Sequence, residues 1–143
     1  MAAAIQPSDG TLDKFSKLLP ADVTAAFIST KSALVAAYHG TDANLPVVLT
    51  FSAVLALCPL YFKWVSKITD TRQCLFLWLS SLVFAVSLSD KQITGLLIDF
   101  ANAFPALNIP ATSIEPSIKG VAIILPILWT LIISQIAATQ FKN

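Results

Sequence analysis

Charge is what this chain has least of. Only 12% of its 143 residues are Asp, Glu, Lys or Arg, against about 25% in ordinary soluble domains. With 56% hydrophobic residues beside that deficit, the chain is neither disordered nor an ordinary soluble domain. Nine basic against eight acidic residues leave a net charge of +1, so there is no basic field to hold nucleic acid and no acidic tail. One His and two Cys remove most of the material for metal sites and catalytic constellations, and no CxxC, HExxH, GxGxxG or Walker pattern occurs. His39 is alone and reads as a cap facing water at a helix C-terminus. Cys58 and Cys74 fall near one membrane face and read as packing thiols, not as a disulfide. The sequence therefore nominates no catalytic residue, no cofactor and no metal ligand, and an enzyme is a distant reading.

What the chain does have is three long uncharged runs. Leu45 to Phe62, Gln73 to Ser89 and Gly120 to Phe141 contain no charged residue. A helix rises about 1.5 Å per residue, so crossing the hydrocarbon core takes about 17 to 25 apolar residues. All three runs qualify, and a chain this short cannot enclose three such helices in a soluble core. The expected fold is all-α: a polytopic membrane protein with transmembrane helices over residues 45–64, 73–90 and 120–140. Residues 1–44 form a separate N-terminal amphipathic region, and residues 45–143 the three-span membrane domain. MAAAIQPSDG has neither a basic start nor an apolar core with a cleavage site, so the first span is expected to do its own targeting.

Two other segments carry helical periodicity without the length to cross. Thr11 to Leu19 places Leu12, Phe15, Leu18 and Leu19 on one face before Pro20 interrupts. A second helix follows from Ala21 to Tyr38, with Val23, Ala26, Phe27, Leu34, Ala37 and Tyr38 on one stripe, Asp22 in its first turn and Gly40 as its stop. Such a stripe lies on a membrane surface or packs against another chain. Its polar face holds a single Lys31 and no basic row, which favours protein contact, with Val23, Phe27, Leu34 and Tyr38 as the docking face. Between the second and third spans, Ile93, Leu96, Leu97, Phe100 and Phe104 share a face opposite Lys91, Thr94, Gly95, Asp99 and Asn102, a short amphipathic helix. The following PALNIPATSIEP holds Pro105, Pro110 and Pro116 and reads as a loop.

Lys63, Lys67 and Arg72 crowd the short connection between the first two spans, whereas Lys31, Lys91 and Lys119 are spread over two long segments. The positive-inside tendency places the short loop, residues 63–73, in the cytoplasm, and the N-terminal helices and the Pro-rich segment outside, in a bacterial inner membrane. No acid, base or His stands in the middle of a span, which argues against ion-coupled transport. The spans hold hydroxyls instead: Thr50 and Ser52, then Ser80, Ser81 and Ser87, then Thr130 and Ser134 beside Gln135. Ser80, Ser81, Ser87, Thr130 and Ser134 are the candidates for helix packing or for lining an uncharged pore. Pro59 and Pro126 sit inside spans, where neighbours must satisfy the carbonyls they free.

LLPADVTAAF, CPLYFKWVSK and LWLSSLVFAVSLS together resemble a group of short bacterial multi-span membrane proteins of uncharacterised role. These have an N-terminal Leu-Pro-x-acid-Val helix and a first span ending in Pro-Leu-Tyr. The resemblance implies the same topology and carries no site residues. Two functions follow from the sequence. One is a non-enzymatic integral membrane subunit that partners the lipid bilayer, forming a homo-oligomer or anchoring a larger membrane-associated assembly through its N-terminal helices. The other is an oligomeric pore former or permeabiliser of the holin or effector kind.

Overall fold

In a computed structural model, which describes residues 17–38, 40–107 and 110–139, the chain folds into five α-helices, with no strand among the described residues. They are α1 (Ala21–Ala37), α2 (Asn44–Trp64), α3 (Thr71–Leu88), α4 (Asp90–Ala103) and α5 (Ala111–Thr139). Short 3-10 turns at Gly40–Ala43 and Pro105–Leu107 lead into α2 and out of α4. Three segments are long and apolar enough to cross a membrane: Asn44–Trp64, Thr71–Leu88 and Thr112–Ile136, with mean hydropathies of 2.1, 1.4 and 2.0. The architecture is that of an all-α polytopic membrane protein. Most of the Thr11 to Leu19 segment, His39 and the final residues 140–143 lie outside the described residues.

Helices α2 and α3 form a tight hairpin. The amides of Val65 and Ser66 both donate to the Tyr61 carbonyl and that of Ile68 to the Phe62 carbonyl, closing the last turn of α2. Lys67 takes a left-handed conformation, φ 53°, to let the chain reverse. Asp70 then caps α3, its Oδ1 accepting from the Arg72 amide at 2.8 Å.

Helix α1 departs from both placements expected for it. It lies antiparallel along α2 and beside α3, and its stripe joins their core: Val23 and Phe27 are buried with Val47, Phe51, Cys58, Phe62, Ile68, Leu77 and Ala85. The Phe27 and Phe51 ring centroids are 4.6 Å apart. Leu34 packs half-buried against the same cluster, while Ala26, Ala37 and Tyr38 stay exposed. The linking 3-10 turn is short, and a short link makes consecutive helices antiparallel neighbours. Helices α1, α2 and α3 thus share one core across the 44/45 boundary.

The Pro-rich segment is also corrected. Only residues before Ala111 stay outside a long helix; α5 begins at Ala111 and runs through Pro116 and Pro126. Proline's fixed φ is itself helical; Pro116 removes the bond to the Thr112 carbonyl and its ring crowds that carbonyl, yet the helix continues through it. Ser117 Oγ donating to Ser113 O at 2.7 Å and the Lys119–Glu115 ion pair one turn apart support the same stretch. The amphipathic α4 exists, but its apolar stripe is only partly covered, with Ile93 and Leu96 half-buried. Leu97, Phe100 and Phe104 are exposed, whereas Gln92, Thr94 and Ala101 are buried.

Candidate functional site

Ser80 is the polar node of the bundle. It lies at mid-length on α3, fully buried, where α3, α5 and the residues before α1 meet. Its Oγ accepts a hydrogen bond from Trp129 Nε1 on α5 at 2.9 Å. Its own proton faces two carbonyls, Phe76 O at 2.8 Å and Leu18 O at 3.2 Å. One hydroxyl therefore links three segments, and Leu18 and Ile133, both fully buried, pack beside it with Phe76 and Trp129.

The other candidate hydroxyls turn back on their own helices. Ser81 donates to Leu77 O at 2.8 Å and Ser87 to Val83 O at 2.9 Å. Thr130 donates to Pro126 O or Ile127 O, and Ser134 to Leu131 O at 2.7 Å. In the first span, Thr50 and Ser52 do the same toward Pro46 O and Val48 O. This back-bonding is the usual way a lone hydroxyl is satisfied inside a helix. The structure thus brings Ser80 together with Trp129, the neighbour of Thr130, sets Ser81 in hydrogen-bond contact with the Cys58 side chain of α2, and turns Ser87, Thr130 and Ser134 onto their own helices. Cys58 is buried and Cys74 half-buried, and both are free thiols.

A second node was not read from the sequence. Pro59 has no amide hydrogen, so the Leu55 carbonyl four residues before it loses its helical donor. Trp78 Nε1 on α3 donates to that carbonyl at 2.9 Å. The signal was present: a proline within an apolar run requires a donor from a neighbour, and the following span offers an indole at a matching height.

At the end of the bundle opposite the α2–α3 loop, Asn44, Asp90, Lys91, Thr94, Glu115 and Lys119 line a polar cleft between α2, α4 and α5. Its two acids and two bases balance, and Lys119 Nζ donates to Glu115 Oε1 at 2.6 Å. Gly95 lets the helices close here, since a Cβ on it would lie 2.2 Å from Asn44 Nδ2. The cleft holds neither Cys nor a hydroxyl set against a base, and no group of three or more His, Cys, Asp or Glu among the described residues is placed to hold a metal ion. Of the docking residues read from the sequence, Val23 and Phe27 face this chain's own α2 and α3, leaving Tyr38 and part of Leu34 at the surface. Compared with protein-family models, with curated proteins and with solved structures, the chain matches none.

Proposed function

We propose that the chain is a non-enzymatic integral membrane subunit that self-associates or anchors a larger assembly in the bilayer. The observation that carries this reading is the α4 stripe. Helix α4 has 14 residues, too few to cross, yet it turns Leu97, Phe100 and Phe104 outward, with the last two rings 4.8 Å apart. Beside it, Ser113, Ile114, Ser117 and Ile118 of α5 complete a shallow groove with Leu97 and Phe100. With Val23 and Phe27 occupied inside the chain, this groove replaces α1 as the association surface. Helix α5 supplies the anchor: only 11% of its span is buried, and Ile123, Ile124, Ile127, Leu128, Leu131 and Ile132 face outward. The short loop 63–73 lies on the cytoplasmic side of a bacterial inner membrane in this reading.

The span hydroxyls support a subunit over a pore, because a lumen needs polar groups turned into it and these are bonded to their own carbonyls. The test is the mass of the protein solubilised from native membranes in mild detergent, together with dye retention by liposomes that contain it. A mass well above the 15.3 kDa chain, restored to monomer by Phe100→Ser with Phe104→Ser, and no leak are the expected results. A monomer in native membranes would refute the association, and leaking liposomes would establish the pore.

A further inference from the structure

Helix α1 runs along most of α2, 17 residues against 21. At one end Tyr61, near the close of α2, donates from its hydroxyl to Asp22 Oδ2 at 3.2 Å. Midway Phe27 meets Phe51. Toward the other end Lys31 Nζ donates to the Leu88 carbonyl, at the C-terminus of α3, and the 3-10 turn leads from there into α2. A helix of 17 residues extends about 25 Å, the lower limit for crossing the hydrocarbon core. Its two charges are both engaged within the bundle. Lys31 reaches along its stem to a helix C-terminus, where a cation is favoured. The side facing away from the bundle carries Ala25, Ile28, Ser32 and Val35, all exposed and none charged.

We propose that α1 crosses the bilayer as a fourth transmembrane helix, with its outer face on lipid acyl chains. Its start, where Asp22 accepts from Tyr61, then shares one side of the membrane with the α2–α3 loop. Its setting selects lipid as the occupant, because α1 packs along α2 and beside α3, both long and apolar enough to cross. This crossing holds whichever partner the subunit takes.

The test uses the full chain with Cys58→Ala and Cys74→Ala, and single cysteines introduced as Ala21→Cys, at the exposed start of α1, Thr41→Cys and Ser66→Cys. Each is labelled with a membrane-impermeant maleimide before and after permeabilisation. Ala21→Cys is expected to match Ser66→Cys and to oppose Thr41→Cys. Because concordance is the readout, inverted or mixed insertion of the whole chain does not alter the result. Ala21→Cys matching Thr41→Cys would overturn the proposal. A fluorophore attached through Ile28→Cys is expected to be quenched by lipids brominated on their acyl chains. Quenching by aqueous iodide instead, or protection from both by a second copy, would equally overturn it.

Discussion

Trp78→Phe should expose what Pro59 has removed from α2. The substitution keeps an aromatic ring between α2 and α3 but deletes the N–H that reaches Leu55 O at 2.9 Å, and the helix has no amide of its own to offer that carbonyl. Interhelical hydrogen bonds between membrane helices average about 0.6 kcal/mol and reach about 1.7 kcal/mol. A carbonyl left with no partner lies toward the upper figure, so a loss of about 1.5 kcal/mol is expected, on top of the lost ring volume. Pro59→Ala returns an amide to position 59 and makes the indole redundant. In that background only the volume loss should remain, so a double-mutant cycle isolates a coupling of about 1 kcal/mol. Reversible unfolding of the four proteins in mixed micelles, followed by helical circular dichroism, measures it. A coupling below about 0.3 kcal/mol, within ordinary additivity, would refute the assignment of the indole to the orphaned carbonyl.

Phe27→Asp places a carboxylate against Phe51 and removes about 1.5 to 3 kcal/mol of apolar burial; α1 should become protease-sensitive in micelles while α2, α3 and α5 still insert, and an α1 as protected as before would contradict the shared core. Gly95→Ala should destabilise by about 1 kcal/mol, since its methyl meets the Asn44 amide. In an Asn44→Ala background the same change should stabilise by about 0.5 to 1 kcal/mol through helix propensity. Thermal melts of both pairs read the sign, and an unchanged sign would show that Asn44 is not the obstacle.

The ends of α2 were legible because charge marks them: its uncharged run starts just after Asp42 and stops at Lys63, close to the observed Asn44–Trp64. The start of α5 was not, because prolines were read as breakers where the helix loses one bond and continues. Periodicity found α4 but not its facing. A 3.6-residue stripe says that one side is apolar; it does not say that Gln92 and Thr94 will be the ones turned inward. For α1 the stripe was right at Val23 and Phe27, and what local sequence lacked was the identity of the partner, which is the chain's own next helix. Ser80 was legible as a polar group in an apolar span, whereas Trp129 and Trp78 were passed over because an indole in such a run counts as apolar until its N–H has a destination.

The reversal at Lys67 sets two requirements against each other. At φ 53° a residue with a Cβ is strained by about 1 to 2 kcal/mol, and glycine would relieve most of that. Yet Lys67 is one of three cations in this short connection, with Lys63 and Arg72. A survey that scored variants by folding stability alone would rank Lys67→Gly as an improvement. A survey scored by which way the hairpin enters the membrane would rank the same change as a loss, because the conformationally costly side chain is also one of the charges that orient it.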